Sequence, residues 1–136
     1  MRYDIVDARE HRPERYADAF TGYRAVRMLS DEGEALGEFI WRLGTGEAVE
    51  VTEFGIYRES GRRQGLGTQL FNAGINDIRQ FFADKQYAFR RMYLFCDSTN
   101  DAGRNFYESQ GFQLAAVLPD FYGYCDTTMY VRDMEQ

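Results

Sequence analysis

The sequence predicts an α/β fold, a mixed sheet of about seven strands flanked by helices. Three observations predict it. Residues 3–57 carry four short apolar runs broken by turn signals, which read as an antiparallel meander. Residues 70–82 repeat apolar side chains at spacings of three and four, which reads as one long amphipathic helix. Strand, helix, strand and strand patterns follow it.

Each element has a local cause. Residues 3–7 alternate weakly and form a first strand. Pro13 suits a first helical turn and opens one short helix over 13–20. Residues 23–29 and 36–43 form a hairpin around Asp31-Glu32-Gly33-Glu34. Gly44-Thr45-Gly46 turns the chain into a strand over 49–57. In the long helix, Leu70, Phe71, Gly74, Ile75, Ile78, Phe81 and Phe82 make the core stripe. Residues 91–96 are strongly apolar, as in a central strand covered on both faces. Ser98 or Asn100 caps a helix over 101–109, and Gly111 ends it. Strands over 112–118 and 124–132 close the pattern, with a loop from Pro119 between them. Repeats, linkers and low-complexity segments are absent, so residues 1–136 read as one domain.

Composition narrows the function. The 136 residues are 44% hydrophobic and 16% aromatic, enough for a packed core. The net charge of -6 argues against a nucleic-acid partner. No apolar run is long enough to span a bilayer, and charges stand too early for a signal peptide. A cytoplasmic protein is expected. Cys96 and Cys125 lie in apolar runs and read as free thiols. His11 is the only histidine, so no metal site is expected.

The stretch from Glu50 to Thr68 carries the first chemistry. It reads as a strand, a basic glycine-bearing loop and a helix start. Amides at a helix N-terminus point outward and attract anions. Gly65 and Gly67 admit close approach to the backbone, and Arg62 and Arg63 add charge. No lysine follows, so this is not a Walker loop, and Leu70 stands where a dinucleotide fingerprint needs its third glycine. A loop that merely caps the helix stays open at this point.

A second stretch, Asn100-Asp101-Ala102-Gly103-Arg104-Asn105-Phe106-Tyr107-Glu108-Ser109-Gln110-Gly111-Phe112, stands downstream. Together with Arg62-Arg63-Gln64-Gly65-Leu66-Gly67 it resembles the GNAT superfamily of acetyl-CoA-dependent N-acetyltransferases. The resemblance covers roughly residues 49–132. It implies a GNAT-like sheet and acetyl-CoA as cosubstrate. It implies that the pantetheine arm lies along the backbone of Gly55, Ile56 and Tyr57, and that the pyrophosphate lies on the loop of Arg62, Arg63, Gln64, Gly65, Leu66, Gly67 and Thr68. Asn100 would bond the pantetheine, and Tyr107 would face the thioester sulfur.

Acetyl transfer to an amine sets three demands. The ammonium, with a pKa of about 10, must lose a proton. The developing oxyanion of the tetrahedral intermediate needs a donor, which the Ile56 or Tyr57 amide would supply. The leaving thiolate needs a proton, which Tyr107 would give as general acid. Glu53 shares a strand face with Val51, Gly55 and Tyr57 and is the candidate base. Plainer readings stand beside these, a packed Tyr107 and an ion-paired Glu53. His11 is expected to be remote, on a surface loop.

By the resemblance, the acceptor amine is a small molecule or a peptide, bound near the loop before the last strand. There Phe121 and Tyr122 are candidate contacts, with Trp41 a weaker one. The aromatic cluster also suits a homodimer interface. The chain departs from the family in its N-terminal region, where about 15 residues leave room for one helix rather than two. The cleft is then expected to be open, admitting a larger acceptor or completed by a second subunit. A non-catalytic CoA-binding module is the alternative on the same fold, and a nucleotide-phosphate binder is a third.

Overall fold

The computed structural model describes residues 1–17, 22–57 and 65–134. In chain order the elements are β1 Arg2–Asp7, α1 Ala8–His11, α2 Pro13–Tyr16, β2 Tyr23–Leu29, β3 Ala35–Leu43, β4 Ala48–Ile56, α3 Leu66–Lys85, β5 Arg91–Asp97, α4 Asp101–Ser109, β6 Gln113–Leu118 and β7 Thr127–Asp133. A single 3-10 turn, Thr45–Glu47, precedes β4. The strands form a mixed sheet in the order β1-β2-β3-β4-β5-β7-β6. The chain divides into two compact units, Met1–Leu43 with Val51–Ala88, and Gly44–Glu50 with Phe89–Gln136.

In the first unit β1 and β2 pair antiparallel from Arg2↔Leu29 to Asp7↔Arg24, and β2 pairs β3 in the same sense. The amide of Tyr57 donates to the Leu36 carbonyl at 2.8 Å, which sets the register of β3 against the end of β4. Glu38 then stands opposite Gly55 and diagonal to Glu53, on one face.

The opposite face packs on α3. Its stripe buries Leu70, Phe71, Gly74, Ile75, Ile78 and Phe82, as the spacing predicts, and Leu66 besides, whereas Phe81 is only half-buried. Phe39 and Phe54 meet the Phe71 ring edge-on, each with centroids 5.1 Å apart. Gly74 permits this approach, because a Cβ there would stand 2.4 Å from the Phe39 ring. The stripe also carries a buried acid that the apolar pattern hides. Asp77 accepts two bonds from the Arg24 guanidinium, at 2.7 and 3.0 Å, and one from the Trp41 indole at 2.9 Å. With three donors satisfied, the buried carboxylate is compensated.

Of the single helix expected over 13–20, residues 18–20 lie outside the described residues, and the described N-terminal region differs from the expectation. Two four-residue turns stand at Ala8–His11 and Pro13–Tyr16. Asp7 caps the first by accepting from the Arg9 amide at 2.8 Å. Pro13 has no N–H to continue that turn and begins the second. Ala8 and Tyr16 are buried with Ala25 and Ile40.

In the second unit β4 pairs β5 in parallel over three residues only, from Ala48↔Arg91 to Glu50↔Tyr93. β5 pairs β7 along its whole length, and β7 pairs β6. The expectation that both faces of β5 are covered is corrected. Met92, Leu94 and Cys96 are buried, whereas Tyr93, Phe95 and Asp97 on the other face are only half-buried. The last strand begins at Thr127 rather than at residue 124.

Gly74→Ala should lower unfolding free energy by about 1–2 kcal/mol, the overpacking cost less the gain in helix propensity. Urea unfolding followed by circular dichroism measures it, and an unchanged midpoint would show that Phe39 has room to yield.

Candidate active site

β4 is the strand that carries the candidate groups of the first unit. Glu53 is half-buried, with 15% of its side chain exposed. Tyr16 donates its hydroxyl to Oε2 at 2.7 Å, and the Arg15 guanidinium lies 2.8 Å from Oε1. Both partners come from α2, so a single turn of helix holds both oxygens.

Two residues further on, Gly55 is open. A Cβ there would meet no atom within 4 Å among the described residues. The amide of Tyr57 is committed to Leu36, which corrects its reading as an oxyanion donor. Strand alternation turns the Ile56 N–H to the other edge of β4.

Beside this face stands a second carboxylate that the sequence reading missed. Glu38, on β3, is 7% exposed. It meets His11 Nε2 at 2.6 Å and Arg12 Nη1 at 2.5 Å. Arg12 in turn donates to Glu14 at 2.9 Å. His11 is therefore not a remote surface residue, since 10% of its side chain is exposed and it is tied to β3. The signal that would have found Glu38 was its position in a strand between apolar neighbours, where an acid needs partners.

Burial first, and the neighbouring carboxylates second, push two phenols up. Tyr16 rises to about 12 through burial and its bond to Glu53. Tyr57 rises to about 12 through burial and the charge of Glu38.

The helix α3 starts at Gly65, which is left-handed with φ 74°. No described side chain caps that start, and a Cβ at Gly65 would meet nothing within 4 Å among the described residues. Such a start suits an anion. Leu66 is buried, Gly67 half-buried and Thr68 exposed. Arg62, Arg63 and Gln64 lie outside the described residues.

In the second unit Asn100 is the N-cap of α4, accepting from the Gly103 amide at 3.0 Å. Arg104 and Glu108 clamp the helix to β7. Arg104 Nε donates to the Tyr130 hydroxyl at 3.0 Å, and that hydroxyl donates to Glu108 at 2.6 Å. Tyr107 lies half-buried on α4 between Phe106 and Phe112, with ring centroids at 5.7 and 6.1 Å. Burial first, and at high pH the charge of a Cys96 thiolate, raises its pKa far above the usual phenol range. Tyr107 is therefore a neutral donor across the physiological range.

The loop before β7 exposes Phe121 and Tyr122, each at 56%. Their rings stack edge-on with centroids 4.8 Å apart. Tyr124 donates to Asp97 at 3.1 Å. Trp41 does not join a surface. It is 1% exposed in the core of the first unit and bonded to Asp77, so no acceptor reaches it in this structure. Among the described residues no group of three or more His, Cys, Asp or Glu stands together, and no helix is long and apolar enough to cross a membrane.

Fold and site together define an acyltransferase. The model of the Acetyltransferase (GNAT) family matches residues 3–112, and the chain belongs to that family. Solved structures agree on the fold. The IAA acetyltransferase from Bacillus cereus ATCC 14579 superposes with a TM-score of 0.77 at 10% identity, over 98% of this chain and 99% of that one. The ribosomal-protein-S18-alanine N-acetyltransferase from Escherichia coli gives 0.73 at 16% identity, over 99% and 96%. A GNAT family acetyltransferase from Elizabethkingia anophelis, solved with acetyl-CoA bound, gives 0.69 at 14% identity, over 97% and 98%. No curated protein sequence matches the chain.

The raised phenols carry a pH signature. Their folded-state pKa of about 12 lies above the unfolded value of about 10, so their stabilising contribution is complete below pH 10 and is lost between pH 10 and 12. Urea midpoints should fall across that window, and less steeply in Tyr16→Phe. Equal slopes in both proteins would remove Tyr16 from this account.

Proposed function

We propose that the chain is an N-acetyltransferase that moves the acetyl group of acetyl-CoA to a primary amine. Residues 1–136 act as one catalytic domain in the cytoplasm. The observation that carries this reading is Tyr107, a half-buried neutral phenol on a helix capped by Asn100, in a chain of the GNAT family. A non-catalytic CoA-binding module has no need of such a donor.

Acetyl-CoA supplies an acyl group on a thiolate leaving group. Residues present fit it. The uncapped start of α3 at Gly65, with Leu66, Gly67 and Thr68, receives pyrophosphate oxygens on its amides, and Arg62, Arg63 and Gln64 flank that start in the sequence. The backbone of Gly55 and Ile56 receives the pantetheine arm as a strand would. The resemblance gives Asn100 the role of a pantetheine ligand through its side-chain amide.

The chemistry then divides among three groups. The Ile56 amide donates to the carbonyl oxygen as negative charge develops there. Glu53 takes the proton that the amine nitrogen loses, directly or through a water. Tyr107 donates to the sulfur as the carbon–sulfur bond breaks. Each group holds or moves one proton at a named atom, and no covalent bond to the protein forms.

Neighbours in the fold differ in acceptor by their names, one a ribosomal-protein alanine and another IAA. Phe121 and Tyr122, exposed beside β7, are the acceptor contacts we propose, for a peptide or a small amine. They also suit a homodimer contact.

Acetyl-CoA at about 100 times its dissociation constant should stabilise the protein by roughly 2.7 kcal/mol. Thermal unfolding with and without it is the first test, and no gain would overturn the reading. Tyr107→Phe should keep that gain and lose about 10²-fold or more in kcat. Full turnover in Tyr107→Phe would remove its role. Glu53→Gln should shift the acidic limb of the kcat/KM profile, and an unmoved limb would exclude it as the base.

A further inference from the structure

We propose that Arg15 occupies the seat of the acceptor's ammonium group: the Glu53 carboxylate selects alkylamines over arylamines, and Arg15 weakens that selection by competing for the same oxygen. The inference rests on the reading of Glu53 as the carboxylate that meets the amine.

The two carboxylates of this face differ in how their cations are held. Glu38 is bonded by His11 and Arg12. Its cation, Arg12, is also anchored to Glu14. Nothing in that set is ready to leave. Glu53 is built otherwise. Tyr16, itself buried, holds Oε2 and aims the carboxylate. Oε1 meets only the Arg15 guanidinium among the bonds described, and 57% of the Arg15 side chain is exposed.

An exposed arginine on a flexible stem is the partner that can swing away. Its departure leaves Oε1 without that cation, two residues along β4 from Gly55, where a Cβ would meet nothing within 4 Å among the described residues. An alkylammonium has the charge and donors to replace a guanidinium there. Arylamines are neutral near pH 7 and gain nothing from that oxygen.

Arg15 therefore lowers the apparent affinity for every cationic acceptor by the strength of its own pair. For a half-exposed pair that factor is about three- to fivefold.

The test is an NMR titration of n-butylamine and of aniline at pH 7 into the wild type, Arg15→Gln, Arg15→Ala and Glu53→Gln. Both Arg15 variants should bind n-butylamine about three- to fivefold tighter than the wild type, with aniline affinity unchanged. Glu53→Gln should bind n-butylamine more weakly. Equal or weaker n-butylamine binding in both Arg15 variants overturns the proposal, as does an equal gain for aniline. The titration needs no turnover. A wild type that fails to bind acetyl-CoA refutes the enzymatic reading instead, and the two failures stay distinct.

Discussion

Two carboxylates on one face of β3 and β4 hold the N-terminal turns to the sheet of the first unit. Glu38 gathers His11 and Arg12, and Glu53 gathers Arg15 and Tyr16. A four-residue turn has no stability of its own, because nucleation costs more than one or two hydrogen bonds return. α1 and α2 therefore depend on what they touch. Apolar burial of Ala8 and Tyr16 supplies part of that anchorage, and the carboxylates supply its direction. The arrangement that holds these turns is also the polar surface around Gly55, so architecture and chemistry share the same atoms.

A different constraint governs the opposite face. α3 lies close enough to β3 for Phe39 to touch the backbone at Gly74, and no side chain would fit between them. Asp77 is buried at the same contact with Arg24 and Trp41 as its donors. Losing Arg24 would leave the buried Asp77 carboxylate without its cation, and losing Asp77 would leave the Trp41 indole N–H without its acceptor, and either costs more than the bond itself contributes. Apolar packing sets how near the helix comes, and this polar pair fixes where it sits along the strand.

Much of the fold was legible in the sequence because periodicity records which face is buried. The stripe from Leu70 to Phe82, the hairpin at Asp31 to Glu34 and the capped helix behind Asn100 each carry a local cause within a few residues. Asn100 as the cap of that helix was legible for the same reason. Asp77, Glu38 and His11 were not. Their partners lie 26 to 53 residues away in the chain, so their meaning appears only when β2 and β3 bring those partners near. The two turns in place of one helix were missed because Pro13 was read as an opening and not also as the end of the turn before it.

By itself the sequence determined the family and the order of the elements, because two short motifs and an apolar period are properties of adjacent residues. The tertiary structure alone decided that Trp41 is core, that the Tyr57 amide is spent on Leu36, and that Glu53 sits under α2 with an arginine on one oxygen. These are facts of pairing between distant segments. No local pattern encodes them, since the same side chain is a ligand, a strut or a competitor according to what the fold sets beside it.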